Sequence, residues 1–437
     1  MNFQLKGISV GRLSKSERYW LLGLFIFSAV LGQLYQLSAV MIEPAIRADS
    51  AKYLMTAYNL VSSGSYSYAT EAPLDSSSLL VPGYPYFLAL LQLITGNLDS
   101  TVELAFKLQI LMGASVSVIT VLIARRLLPF SLAFIAGFII CIYPHQIIMT
   151  KYLLTECLFG FLFTLSVYFM LRSIETRQNR FVVIYALLLA IATLTRPITL
   201  LLLPFLAILV SRRRLDLSKQ FMLASLVTFL CWMPWSLWTA NAADLNESNI
   251  KQVVLYGSYP DFTYRQIRGY PNLDDPDFTP SLESWEGVFD SFSGRFSQAP
   301  MQHLGWYLVG KPLSLWSFSV VQGQGGPFIY PVESSIYNLP GLFSFSYGVL
   351  ELLHPLFKVI TVISALLLAL LFFFGRKVIL SVPLALIAGV VSYVTLFHIP
   401  LASLPRFSFP FQSFMVIMVL CVLYYCFQVL KEYKNDN

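Results

Sequence analysis

Two carboxylates and two guanidiniums in this chain each border a long apolar run. Asp49 opens the stretch Asp49-Ser-Ala-Lys-Tyr53 just beyond the first such run, and Glu156 stands near the start of another. A carboxylate at a helix start near a bilayer surface is placed to take a proton from a hydroxyl. Its plainer use is to cap the helix, accepting hydrogen bonds from Lys52 or neighbouring amides. A carboxylate inside an apolar run is costly to bury and marks a functional site by default; the alternative for Glu156 is an ion pair with Lys151 or with a base on a neighbouring span. Arg196 and Arg406 also border apolar runs, and arginine's planar fork grips phosphate oxygens while staying ionised where water is scarce. Snorkelling to lipid headgroups is the alternative for both.

The elements that position these four residues follow from composition. The chain has 437 residues, 57% hydrophobic and only 12% charged, with a mean hydropathy of +0.67. So much apolar surface exceeds what a soluble core of this size hides, and lipid must solvate most of it. The net charge of +6 is spread in short clusters between apolar runs, a membrane-topology pattern and not a nucleic-acid patch. The five cysteines lie in apolar runs without C-x-x-C spacing and read as small buried hydrophobes.

Only helices or closed barrels satisfy their own backbone in hydrocarbon, and about 20 apolar residues make a crossing. The apolar runs predict ten helical spans, near 19–42, 104–124, 127–144, 152–171, 181–195, 197–210, 220–240, 350–374, 378–397 and 407–430. The first follows a basic stretch, is too long for a signal-peptide core and lacks a small-residue cleavage site, so it is expected to stay uncleaved. Alternate connections collect Lys and Arg: Lys6, Arg12, Lys15 and Arg18; Arg125 and Arg126; Arg172, Arg177 and Arg180; Arg212, Arg213, Arg214 and Lys219; Arg376 and Lys377; Lys431 and Lys434. These hold more than half of the 29 basic residues and mark the cytoplasmic side, with both termini there.

Two long connections then fall on the opposite side. The first, 43–103, holds two helix patterns. One lies within Ala48–Gly64, with Tyr53, Ala57 and Leu60/Val61 at helical spacing and Gly64 where a terminating glycine belongs; the other follows Pro82-Gly-Tyr-Pro-Tyr86. Both suit a position along the membrane surface. The second connection, 241–347, is far longer than the usual 4 to 6 residues, so it is functional or partly folded. It is dense in rings that stack on sugars or rest at an interface, among them Tyr256, Tyr259, Trp285, Trp306 and Trp316. The expected organisation is a transmembrane module over 1–240 that includes the first external loop, the large external loop over 241–347, and C-terminal transmembrane helices over 348–437.

The pattern resembles the polyprenyl-phosphate-sugar-dependent GT-C fold glycosyltransferases, the group that includes protein O-mannosyltransferases and aminoarabinose transferases. The resemblance runs from the first span to about Pro204 and resumes near the C-terminus. It is carried by Asp49-Ser-Ala-Lys-Tyr53 with the following Asn59-Leu-Val-Ser-Ser-Gly64, by Pro82-Gly-Tyr-Pro-Tyr-Phe-Leu-Ala89, by Tyr143-Pro144 leading to Thr155-Glu156, by Thr195-Arg196-Pro197 and by Pro405-Arg-Phe-Ser-Phe-Pro410. It departs from the family where Ser78-Leu-Leu-Val81 replaces an arginine, and where Asp49-Ser50 replaces a paired Asp-Glu. Little chain follows the last span, so the extra C-terminal domain of some relatives is not expected.

The resemblance implies an all-α polytopic membrane protein, a GT-C-like bundle of about ten transmembrane helices. It also implies transfer of a sugar from a polyprenyl-phosphate donor to a glycan, lipid or protein acceptor on the extracytoplasmic face, with inversion if displacement is direct. Asp49 is then the catalytic base, Glu156 the second carboxylate, and Arg406 with Arg196 the donor-phosphate ligands. Tyr53, Tyr84, Lys311 in Lys311-Pro-Leu-Ser-Leu-Trp316, and His398 are substrate-binding candidates; for His398 a satisfied or exposed histidine is the alternative. His145, His303, His354 and His398 lack metal-ligand spacing, so neither metal nor other cofactor is expected. Asp274-Asp-Pro-Asp277 reads as a solvated turn.

Two other functions share these features. A polymerase or ligase acting on pyrophosphate-linked oligosaccharides also combines many spans with a large external loop. A lipid-sugar flippase would carry mid-bilayer charges and related halves, neither of which the sequence displays. A bacterial inner membrane fits the short loops, while the sequon Asn246-Glu-Ser248 leaves an endoplasmic reticulum setting open.

Overall fold

The structure, a computed structural model, describes residues 4–5, 11–42, 46–72, 74, 80–241, 246–319, 326–330, 332–375 and 379–436. Lys6, Glu43, Ser78, Leu79, Arg376, Lys377 and the side chains of the Asn246–Ser248 sequon lie outside the described residues.

Helix α1 (Lys15–Ser38) begins where its sequence carries the start signal: Ser14 Oγ accepts from the Glu17 amide, and Glu17 accepts from the Ser14 amide at 2.8 Å. This reciprocal pair satisfies two of the amides that a helix start leaves unpaired. Next come α2 (Asp49–Ser63) and α3 (Gly83–Thr95), terminated by Gly64 at φ 70° and Gly96 at φ 76°. These left-handed conformations fall to glycine because it has no Cβ to clash. The long α4 (Leu98–Ala124) starts six residues before its expected span, because Asn97 caps it through the Ser100 amide.

The expected span over 127–144 is bent instead of continuous. Helix α5 (Phe130–Ile142) meets α6 (Pro144–Ile148) and the following turn at 51°. Pro144 has no N–H to continue the helix and forces Tyr143 into an extended conformation. Then follow α7 (Thr155–Thr176), α8 (Asn179–Thr195), α9 (Leu202–Ser211) and α10 (Leu215–Asn241). After the large external loop come the helices Leu342–Phe374, Val382–Phe397 and Gln412–Asp436. Six helices among the described residues are individually long and apolar enough to cross a membrane. The bent pair and three shorter apolar helices, Asn179–Thr195, Pro197–Ser211 and Val382–Phe397, occupy the other segments where spans are expected. The protein is therefore an all-α bundle of apolar helices.

One apolar core joins these helices, with Phe159, Phe163, Phe411 and Phe414 fully or almost fully buried at its centre. Leucines, isoleucines and phenylalanines cover the outer helix faces, for example Leu352, Leu356 and Ile363, as a lipid solvent requires. The external loop has a small core of its own, Leu255, Tyr259, Phe278 and Val288, and shares another, Phe262 and Trp306 with Ala402, with the segment that leads to Arg406. A two-strand ribbon ties that loop back to the end of α1, pairing Val40–Met41 with Val332–Ser334. The Asp274–Asp277 stretch is more than a solvated turn, because Asp275 is buried and accepts from the Tyr259 hydroxyl at 2.5 Å.

Candidate active site

Asp49, Glu156, Arg196 and Arg406 come from four separate elements and meet at one end of the bundle. Arg406 Nε donates to Glu156 Oε1 at 2.5 Å, and Arg196 Nη2 donates to the same oxygen at 2.6 Å. Arg406 Nη1 reaches Asp49 Oδ2 at 3.5 Å, while Arg196 Nε donates to Thr155 Oγ1 at 2.7 Å. The formal charges of the four residues cancel. The other ends of α4, α7 and α9 carry Arg125 and Arg126, Arg177, and Arg212 and Arg213.

Local sequence explains each placement. Arg196 precedes Pro197, which disfavours helical backbone in the residue before it; Arg196 is accordingly extended (φ −148°, ψ 116°) and leaves the end of α8 towards Glu156. Arg406 follows Pro405 in a 3-10 turn, Pro405–Phe411, that enters the last helix. Glu156 sits in the first turn of α7, where the helix dipole favours negative charge. Asp49 likewise lies in the first turn of α2. The cap position itself belongs to Ala48, with no side-chain capping bond, so Asp49 is not the helix cap.

The two carboxylates differ in access. The Asp49 side chain is 47% exposed, that of Glu156 only 3%. Burying Glu156 is tolerable because two guanidiniums compensate it, and removal of either would leave an uncompensated charge. Glu156 does not pair with Lys151, which instead donates to the carbonyls of Gln36 and Ala39 at 2.7 and 2.6 Å. Each guanidinium retains unused donors: Arg406 Nη2 and Arg196 Nη1 make no hydrogen bond among the described residues. Two planar forks with free N–H groups beside a solvent-accessible carboxylate can hold phosphate oxygens and accept a hydroxyl proton in the same place.

The other predicted residues form the surround. Tyr53 lies edge-on to Tyr84, ring centroids 5.2 Å apart. Burial, and next the Asp49 carboxylate, push its hydroxyl up to about 12, so it is a neutral donor at physiological pH. The Tyr84 hydroxyl is already used, donating to Gln109 Oε1 at 2.8 Å, and Gln109 in turn donates to the carbonyls of Thr150 and Tyr152. Tyr84 therefore braces the chain leading to Glu156. His398 is buried against Phe407, the neighbour of Arg406, and burial pushes its imidazole down to about 4. Lys311 is fully buried, donates to the carbonyls of Ile399 and Leu401 at 2.7 and 2.9 Å, and lies 4.0 Å from the Tyr307 ring centroid. It clips the external loop onto the segment that delivers Arg406. Among the described residues no three His, Cys, Asp or Glu side chains gather as a metal site.

Burial lowers the Lys311 ammonium to about 7, against about 10.4 in an unfolded chain. Between those values the unfolded chain binds the extra proton, so Lys311 makes stability rise with pH through this window. The thermal midpoint of the wild type should climb from pH 7 to 9 more steeply than that of Lys311→Met. Parallel curves for the two proteins would remove this account of Lys311.

Sequence reasoning missed Tyr330. Its hydroxyl donates to the Arg47 carbonyl at 3.0 Å and lies 3.4 Å from Ser50 Oγ, and its ring packs 4.6 Å from the Arg47 guanidinium. It thus braces the chain on both sides of Asp49. Gly83 explains why two of the quoted motifs occur together. A Cβ at that position would stand 2.5 Å from Thr195 Oγ1 and 2.7 Å from the Thr195 nitrogen, so only glycine lets α3 approach the end of α8. Gly83→Ala should cost about 1–3 kcal/mol and lower activity by displacing Arg196; an unchanged melting temperature together with unchanged turnover would refute the contact's importance.

The chain has a GT-C-like fold, an all-α bundle of apolar helices with charged residues gathered beside its helix ends. More particularly, residues 80–238 match the family described as dolichyl-phosphate-mannose-protein mannosyltransferase. No curated protein matches the chain. The archaeal oligosaccharyltransferase AglB from Archaeoglobus fulgidus, in complex with an inhibitory peptide and a dolichol-phosphate, has a TM-score of 0.50 at 14% identity, over 97% of this chain and 52% of that one. The oligosaccharyltransferase of the same organism tethered with an acceptor peptide has a TM-score of 0.51 at 16% identity, over 96% and 51%. ArnT from Cupriavidus metallidurans in the apo state has a TM-score of 0.40 at 14% identity, over 93% and 77%. The chain spans about half the length of the two archaeal structures.

Proposed function

We propose that the protein transfers a single sugar from a polyprenyl-phosphate donor to an acceptor hydroxyl at the extracytoplasmic membrane surface. One observation carries the reading: a half-exposed carboxylate and a buried one share the guanidinium of Arg406, while N–H groups of Arg406 and Arg196 remain free. The matched family's description, which names a dolichyl-phosphate sugar, and the dolichol-phosphate in the archaeal complex support a lipid-linked donor.

In the proposed step Asp49 accepts the acceptor hydroxyl proton as its oxygen bonds to the anomeric carbon. The bond from that carbon to the phosphate oxygen breaks, and the polyprenyl monophosphate leaves with one more negative charge. Arg406 and Arg196 stabilise that gain, and a single displacement inverts the anomeric centre. Glu156 holds both guanidiniums in place. Tyr53 faces the reacting sugar, and His398 and Lys311 support the segment carrying Arg406. The transmembrane modules 1–240 and 348–437 supply the catalytic groups, and Lys311 joins the external loop to the segment that carries Arg406. A bacterial inner membrane with both termini in the cytoplasm accords with the basic ends of α4, α7 and α9.

Incubation of the purified protein in detergent with a polyprenyl-phosphate sugar and candidate acceptors tests this reading. Release of polyprenyl phosphate with transfer of one sugar is expected. Turnover only of pyrophosphate-linked oligosaccharides, or movement of lipid-linked sugar across proteoliposomes without bond cleavage, would overturn it.

A further inference from the structure

Chemistry that the four-residue cluster does not use lies beside Pro405, the neighbour of Arg406. A cleft of about 620 Å³ opens there between residues 260–268 and 302–319 of the external loop and the helix Leu342–Phe374, with Pro405 in its wall. That volume suits a small ligand. Gln302, Ser314, Ser317 and Ser319 line it with amide and hydroxyl groups, Trp306 contributes to its surface, and Asp261 and Arg268 form an ion pair of 2.8 Å on it. Hydroxyl-rich walls with an indole and a carboxylate–guanidinium pair match the hydroxyls and apolar faces of a sugar.

Lys358 does not fit a neutral ligand. It lies on a membrane-crossing apolar helix, between Phe357 and Val359, and lines the cleft. Its one hydrogen bond among the described residues goes to the uncharged Ser317 Oγ at 3.3 Å, and the nearby titratable group is His354, one helical turn away, which supplies no negative charge. A half-buried ammonium whose hydrogen-bond partner is a hydroxyl lacks a counter-charge and is open to an anionic group. The helix runs on from Lys358 to Phe374, roughly 24 Å at the rise of an α-helix. That equals the length of the neighbouring 16-residue helix Val382–Phe397, whose end leads to His398 and Arg406. Lys358 therefore stands level with the membrane boundary at which the four-residue cluster sits.

We propose that this cleft is the acceptor subsite, and that Lys358 selects an acceptor sugar bearing an anionic group, phosphate or carboxylate. The assignment rests on the transferase reading above. It separates the two substrates by charge: the donor phosphate goes to the free N–H groups of Arg406 and Arg196, and the acceptor's anion to Lys358.

The test follows acylation of Lys358 by a water-soluble amine-reactive ester, measured by peptide mass spectrometry on the full-length protein in nanodiscs of zwitterionic lipid. Glucose 6-phosphate and glucuronate should protect Lys358 at about tenfold lower concentration than glucose or inorganic phosphate, and Trp306→Leu should weaken that protection. Equal protection by inorganic phosphate would reduce the cleft to a plain anion site and overturn the proposal. So would protection by phosphatidylglycerol in the nanodisc without any sugar, which would make Lys358 a headgroup contact. Donor turnover by the wild type is scored in parallel. If turnover proceeds while Lys358 goes unprotected, the cleft assignment fails alone; absence of turnover condemns the transferase reading whatever the labelling shows.

Discussion

Asp49→Asn is expected to lower sugar transfer by about 10²- to 10⁴-fold, the usual contribution of a general base, while leaving the protein folded. The substitution keeps size and shape but removes the proton acceptor. Its structural cost is small because the Asp49 side chain is 47% exposed and its contact with Arg406, at 3.5 Å, is long. A long contact with one partner half-exposed contributes about 1 kcal/mol. The measurement is the transfer rate beside a thermal melt in the same detergent. Turnover within twofold of wild type would strip Asp49 of the role of base, whereas a lost melting transition would mean that the variant reports on folding.

Arg406→Ala should do both kinds of damage. It strands Glu156, 3% exposed, with Arg196 alone, and removes the contact to Asp49. Deleting one partner of a buried pair costs up to about 3–5 kcal/mol, and here two carboxylates are left to one guanidinium, a net negative charge in the cluster. Neutralising that charge should restore much of the stability, so the double variant Glu156→Gln/Arg406→Gln should melt closer to wild type than Arg406→Ala does. Activity should not return with it, because the phosphate still lacks its guanidinium. Arg406→Lys probes the fork itself: it keeps the charge but cannot present Nε to Glu156 and Nη1 to Asp49 together. Recovery of transfer in the double variant would show that Arg406 serves the fold alone.

Glu156, Arg196 and Arg406 were legible in the sequence because each interrupts an apolar pattern that leaves few reasons for a charge, and Asp49 because it opens a helix pattern just past the first apolar run. The helix start at Asp49, the glycine terminating α2 and the proline-bounded turns at Arg196 and Arg406 follow from local backbone chemistry, which short stretches of sequence encode well. Which charges pair is another matter. Glu156 is bound by residues 40 and 250 positions away, while the nearby Lys151 turns to carbonyls at the end of α1. Tyr330 meets Ser50, the neighbour of Asp49, from 280 positions off, and no period or spacing announces it. Lys311 was visible as a cation in an aromatic stretch, but a sequence does not show that backbone carbonyls will occupy its ammonium. The bend at Tyr143-Pro144 was encoded by the proline, yet the uninterrupted hydropathy around it mimics a single straight crossing.

The close approach of Gly83 to Thr195 reaches beyond stability. Two surface segments that would ordinarily count as independent modules meet backbone to backbone, so neither can be grafted from another scaffold without its counterpart. A chimera that exchanges the stretch around Pro82 while retaining the native Thr195-Arg196-Pro197 would inherit a mismatch at the joint, and the displaced group would be the one anchored to Glu156. Recombination in this region should therefore succeed for the two stretches together and fail for either one alone.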